Sequence, residues 1–133
     1  MKKSLFLISI MILTTVLVGC VGNNGSTVNN TYESISAKSA KEMMDEESGY
    51  IILDVRTQEE YDEGHIPDSV LLPNESIGTA EIDTLPNKDQ LILIYCRSGN
   101  RSKQAASKLV DLGYTNVYEF GGIIDWPYDI VTD

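Results

Sequence analysis

The chain predicts an α/β domain with a mainly parallel sheet, and three features of its sequence lead there. Apolar runs of strand length recur at residues 50–55, 69–72, 91–95 and 116–120, with helically spaced segments between them. The run from Leu91 to Tyr95 is apolar throughout, as strands buried on both faces are, so it belongs at the sheet centre. It stops at Cys96, and a loop of arginine and small residues, Arg97-Ser98-Gly99-Asn100-Arg101-Ser102, leads into a helix. Ligands of open α/β sheets bind at the carboxyl edge of the strands, which is where Cys96 falls.

In chain order, residues 1–19 begin with Lys2 and Lys3 and hold an apolar run from Leu5 to Val18 interrupted only by Ser9, Thr14 and Thr15. This is the pattern of a signal-peptide core, too short for a comfortable membrane span. It ends in Leu17-Val18-Gly19-Cys20, which resembles the lipobox of bacterial lipoproteins. That resemblance implies cleavage before Cys20, acylation of Cys20 and an extracytoplasmic domain anchored by lipid to a bacterial membrane. An ordinary secretory signal and an uncleaved anchor are the competing readings. Residues 20–31 hold Cys20 and a flexible tether, whose stretch 21–30, rich in Gly, Asn, Ser and Thr, has a root-mean-square span of roughly 17 Å. Residues 32–133 form the folded domain, long enough for one core and not for two.

Within the domain, residues 32–36 suit a short edge strand, and Ser36 or Ser39 caps a helix that turns Ala40, Met43 and Met44 inward and ends near Gly49. After the strand at 50–55, Thr57-Gln58-Glu59-Glu60 has capping-box spacing and starts a short helix through Asp62, with its turn at Glu63-Gly64. Asn74 is placed to cap a helix over 75–82, and residues 85–88 read as a connecting loop. Beyond Arg101, the residues Ala105, Ala106, Leu109, Val110 and Leu112 share one helical face, and Gly113 follows as the helix stop.

Charge narrows the function classes. The chain carries 20 acidic against 10 basic residues, a formal net charge of −10, and loss of Lys2 and Lys3 with a signal would deepen the excess. Such a surface excludes nucleic acid or anionic lipid as a partner held by basic patches. It leaves the arginine loop as a positive spot in a negative field. One histidine and one cysteine besides Cys20, far apart in sequence, fall short of the three or four ligands zinc needs, so no metal or cofactor is expected.

The chemistry concentrates at Cys96. With Cys20 acylated, Cys96 is the remaining thiol and has no intramolecular disulfide partner. A free cysteine titrates near 8.5, and a fall of about two units would make it mostly thiolate at neutral pH. Arg97, Arg101, the helix start and a nest of backbone N–H groups around Gly99 supply the positive potential for that fall. The bland alternative is a buried cysteine that merely ends a strand. Asp54 and Arg56, at the end of the neighbouring strand, fit either a plain ion pair or a support for the loop. His65, between Gly64 and Ile66-Pro67, sits in a turn and reads as structural rather than as the base of a cysteine–histidine dyad.

Cys96-Arg97-Ser98-Gly99-Asn100-Arg101 resembles the active-site loop of rhodanese-type sulfurtransferases. Leu53-Asp54-Val55-Arg56, residues 60–67 and Gly121-Gly122-Ile123 with Trp126 extend the resemblance over residues 35–126. It implies a single rhodanese-like domain, a central five-stranded sheet with helices on both faces, and support of the Cys96 loop by Arg56 and nearby acids. It further implies that Cys96 takes sulfane sulfur from thiosulfate or a persulfide and passes it to cyanide or a thiol. Main-chain N–H groups from Arg97 to Arg101 would cradle the persulfide, Arg97 or Arg101 would attract an anionic donor, and Ser98 and Asn100 would keep the cradle narrow. The chain departs from the family pattern where Asp68 and Ser69 replace the usual glycine and alanine and Leu71 a usual asparagine, which puts the local turn and its polar contacts in question. Two other classes compete: a phosphatase or arsenate reductase using the same cysteine and arginine, and a non-enzymatic module that binds a partner or senses oxidants through Cys96. Against the first, four residues separate Cys96 from Arg101 where phosphatases of this architecture use five, giving a cradle sized for sulfur.

Overall fold

The computed structural model describes residues 30–133; residues 1–29, on which the expected signal peptide, the lipidation of Cys20 and most of the expected tether fall, lie outside the described residues. Five strands, β1 (Glu33–Ser34), β2 (Ile51–Asp54), β3 (Val70–Leu71), β4 (Ile92–Cys96) and β5 (Val117–Gly122), alternate with helices α1 (Ala37–Glu46), α2 (Gln58–Asp62) and α3 (Asn100–Asp111). The strand order is β1-β5-β4-β2-β3 and every pairing is parallel. The all-apolar run thus lies at the centre, between β5 and β2, as its composition requires.

Local signals set the helix starts. The Ser36 hydroxyl accepts the Ser39 N–H at 3.0 Å and caps α1. Thr57 and Glu60 form a reciprocal capping box on α2, each side chain accepting the other residue's N–H. Gly113, at φ +94, follows the end of α3 in the left-handed conformation that a glycine tolerates best.

Strand side chains alternate between faces, so successive residues of β4 serve two different cores. Ile92, Ile94 and Cys96 pack with Leu53, Ala105 and Leu109 on the α3 side. Leu93 and Tyr95 pack with Ala40, Ile52, Phe120 and Trp126 on the α1 side. Cys96 therefore faces α3, and its neighbour Tyr95 faces the opposite layer.

One expected element is different. Residues 75–82 do not form a helix; Asn74–Ser76 is a single 3-10 turn, and Ile77 already has extended backbone. Asn74 does not cap it, because its side chain is used elsewhere: Nδ2 donates to Gln104 Oε1, and Oδ1 and the backbone carbonyl accept from Lys108 Nζ. Gly78 and Thr79 are poor helix formers, and Ile77 and Leu85 reach the core from an irregular path. Among the described residues no helix is long and apolar enough to cross a membrane.

Candidate active site

Cys96 is the last residue of β4 and its side chain is 1 % exposed, beneath the loop that follows. The chain must turn sharply from strand to helix there, and Gly99 does so at φ +107, immediately before α3. Its N–H donates to Cys96 Sγ at 3.0 Å. The sulfur thus receives a backbone donor at the positive end of the α3 dipole, an environment suited to an anion.

The two arginines of the loop have different surroundings. Arg101 makes a bidentate pair with Glu60 of α2, Nη1 to Oε2 and Nη2 to Oε1, both 2.7 Å. Arg97 is exposed and, among the described residues, has no ion pair. Ser98 and Asn100 are exposed, leaving Gly99 as the buried member of the loop. The Glu60 carboxyl is lowered from 4.5 to about 2, first by its bonds to Arg101 and then by those from Thr57. Because its folded value is depressed, the stability it contributes is present above about pH 4.5 and lost as pH falls toward 2. At neutral pH the chain is expected to exceed its Glu60→Gln variant by about 1 kcal/mol, a value discounted for solvent screening at this part-exposed pair. Urea titrations of both proteins should show that lead shrinking below pH 4.5; a constant gap would remove the ion pair from the stability of the loop.

Asp54 and Arg56 are brought together and buried. Arg56 Nη2 donates to Asp54 Oδ2 and to the Gly64 carbonyl, each at 2.7 Å, and its Nε lies 3.0 Å from Asp54 Oδ1. Asp54 Oδ2 also accepts the Tyr95 hydroxyl at 2.6 Å. The pair therefore acts on the Cys96 strand through Tyr95, one residue before the cysteine. The departures from the family pattern are accommodated in this network: Asp68 takes φ +64, and Ser69 Oγ sits 3.2 Å from the Tyr95 hydroxyl, which also accepts the Ile66 N–H. Burial, and then Asp54, push the Tyr95 phenol above its ordinary value, so it stays a neutral donor. Tyr95→Phe strips partners from Asp54 and from the Ile66 N–H, and a loss of about 2 kcal/mol in denaturant titration is expected.

His65 is turned away from this chemistry. Its Nδ1 donates to the Tyr61 carbonyl at 3.0 Å, its ring stacks on Tyr61 at 3.7 Å, and its backbone pairs with Val131. Among the described residues no group of three or more His, Cys, Asp and Glu side chains is placed to hold a metal ion.

Four residues, Glu60, Gly122, Ser102 and Glu119, take part through contacts that their positions in the sequence do not announce. Glu60 has the spacing of a capping residue, and its carboxylate also receives Arg101, so it joins α2 to α3. Gly122 lies so close to the loop that a Cβ there would be 1.9 Å from the Arg97 carbonyl oxygen. Ser102 and Glu119, both buried, lie under the same loop and are hydrogen-bonded at 2.8 Å. A lone acidic residue in an otherwise apolar strand was the available signal for Glu119.

Comparison with known proteins agrees with this architecture. Residues 36–127 match the model of the rhodanese-like domain. A sulfurtransferase of Allochromatium vinosum is 38% identical over 93 residues, covering 69% of this chain and 85% of that protein. The thiosulfate sulfurtransferase GlpE of Pseudomonas savastanoi is 38% identical over 76 residues, 57% of this chain and 70% of the relative. The crystal structure of a rhodanese-like domain protein from Staphylococcus aureus superposes with a TM-score of 0.65 at 31% identity, covering 76% of this chain and 98% of that one. The chain belongs to the rhodanese-like domain family. It is a sulfurtransferase of the rhodanese type.

Proposed function

We propose that Cys96 carries sulfane sulfur from thiosulfate or a persulfide to a thiophilic acceptor, and that the enzyme works outside the cytoplasm, tethered by lipid on Cys20. The observation that carries the chemical part is the Gly99 N–H on Cys96 Sγ at 3.0 Å, at the bottom of a loop whose one unpaired cation among the described residues is Arg97. With thiosulfate as donor, the Cys96 thiolate attacks the outer sulfur, a Cys96 persulfide anion forms and sulfite leaves with the electron pair of the broken S–S bond. Cyanide or a thiolate then attacks the outer sulfur of the persulfide, and the Cys96 thiolate is restored. This is nucleophilic covalent catalysis in two displacements. The persulfide keeps its negative charge near the backbone donor, and Arg97 is free to meet the dianionic donor.

The engagement of Arg101 favours sulfur over phosphoryl transfer. A phosphatase needs that guanidinium for the transferring group, whereas here both of its outer nitrogens are committed to Glu60. The identity of the relatives as thiosulfate sulfurtransferases supports the same donor class for this chain. The deciding experiment is intact-mass spectrometry of the protein incubated with thiosulfate and then with cyanide. One sulfur gained on Cys96 and released as thiocyanate is the expected result. No adduct from thiosulfate or from a persulfide donor would leave the binding or oxidant-sensing role, and hydrolysis of an aryl phosphate dependent on Cys96 would favour the phosphatase.

The tethering part rests on the Leu17-Val18-Gly19-Cys20 motif behind an apolar run. Several acyl chains at about 0.8 kcal/mol per buried methylene would make attachment permanent. Cys20→Ser should release the protein from the membrane fraction of the expressing bacterium and abolish labelling by a fatty-acid analogue; unchanged fractionation and labelling would refute the anchor.

A further inference from the structure

Glu119 is 2 % exposed on a strand between core residues, and among the described residues no Lys, Arg or His pairs with it. Burying a carboxyl without a cation is costly, so its hydrogen bonds must be worth having. They all lead to the Cys96 loop. Oε2 accepts the Gly121 N–H at 3.1 Å and lies 2.8 Å from Ser102 Oγ. Ser102 is fully buried, and the same Oγ lies 2.9 Å from the Gly99 carbonyl and 3.4 Å from that of Gly121.

Serine often bonds back to the preceding turn of its own helix, which accounts for the Gly99 contact alone. It does not account for Glu119, which comes from another strand and gains nothing from helix formation. The sheet delivers Glu119 there through an irregularity: Ile94 pairs with Glu119, but Cys96 pairs with Gly122, so β5 carries an extra residue opposite the cysteine. Gly121, at φ +87, takes up that extra residue. Bulges of this kind re-aim side chains near active sites. Here the irregularity holds the Gly121 N–H and the Ser102 hydroxyl on one carboxyl oxygen.

We propose that Ser102 and Glu119 are positioning residues for the Cys96 reaction. The single Ser102 hydroxyl proton is shared between Glu119 Oε2 and the Gly99 carbonyl, so Ser102 ties the end of β5 to the first turn of α3, and Gly99, held there through its carbonyl, keeps its N–H on the cysteine sulfur. The claim for the thiolate stands by itself, whereas its extension to a Cys96 persulfide rests on the sulfur-transfer reading.

The test is the rate of Cys96 alkylation by iodoacetamide at fixed pH, with steady-state transfer from thiosulfate measured alongside in the full chain. Ser102→Ala and Glu119→Ala are each expected to slow alkylation and kcat about tenfold, with the KM for thiosulfate changed little because Arg97 is untouched. Glu119→Gln keeps an acceptor at the same place and should recover to within about threefold of the parent. The double alanine variant should be no slower than the slower single one, because both act through one contact. Alkylation and kcat at parental rates in folded Ser102→Ala and Glu119→Ala would overturn the proposal. So would independent, multiplying effects. Hydrogen exchange of the Gly99 amide in the unaltered protein gives a reading that no variant's folding affects: protection comparable to that of α3 is expected, and exchange at the rate of an open loop refutes the restraint. Because alkylation needs no sulfur donor, loss of the sulfur-transfer reading would show as absent thiocyanate with the alkylation pattern intact.

Discussion

Cys96→Ser should reduce thiosulfate-to-cyanide transfer to the uncatalysed background, a loss on the order of 10⁴-fold or more. A serine hydroxyl is scarcely ionised at neutral pH and has no sulfur with which to form a persulfide, so neither displacement has a nucleophile. Its oxygen can still accept the Gly99 N–H that now reaches Sγ at 3.0 Å. The site faces Leu53, Ala105 and Leu109, so a hydroxyl in place of the thiol is expected to change stability by only about 1 kcal/mol. Thiocyanate release and a denaturant titration, run on the same preparation, separate the two effects. Residual transfer within tenfold of the parent would place the nucleophile elsewhere. Loss of activity together with collapse of the fold would give Cys96 a structural task beyond its chemistry.

The parts of this site that a reader of the sequence recovers are those written within short stretches of chain. An apolar run ending in cysteine, a glycine before a helical repeat and a threonine three residues ahead of a glutamate each carry their own local reason, and β4, Gly99 and the α2 capping box occur where that reason puts them. The Asp54–Arg56 pair is equally local, two residues apart on one strand end. What joins distant stretches was less visible. Glu60 and Arg101 are 41 residues apart, and nothing in a capping box announces that its carboxylate will also receive an arginine. Asn74 shows the reverse error, since a residue well suited to capping is diverted by Gln104 and Lys108 from α3. A polar side chain near a helix start has more than one possible use, and the choice among them is made by tertiary partners.

Gly122→Ala tests the closest of those tertiary contacts. The backbone of Gly122, at φ −126 and ψ 154, is extended and open to any residue, so conformational freedom is not what the position demands. Space is. A Cβ would fall 1.9 Å from the Arg97 oxygen, 2.3 Å from its carbonyl carbon and 2.5 Å from Ser98 Cα. These are backbone atoms of the catalytic loop, and no rotamer change moves them away. The loop or the end of β5 must shift by about 1 Å or more, and displacement on that scale costs about 10²-fold in rate. A fall of about that size in kcat/KM is expected, with a loss of 1–3 kcal/mol, about what overpacking a close-packed site costs. Gly121→Ala supplies the contrast. No atom lies within 4 Å of a Cβ at Gly121, but its φ of +87 carries a penalty of about 1–2 kcal/mol for an alanine. It should therefore lose stability while keeping more activity than Gly122→Ala. The opposite ranking would mean that the glycine pair serves the bend of β5 and not the clearance of the Cys96 loop.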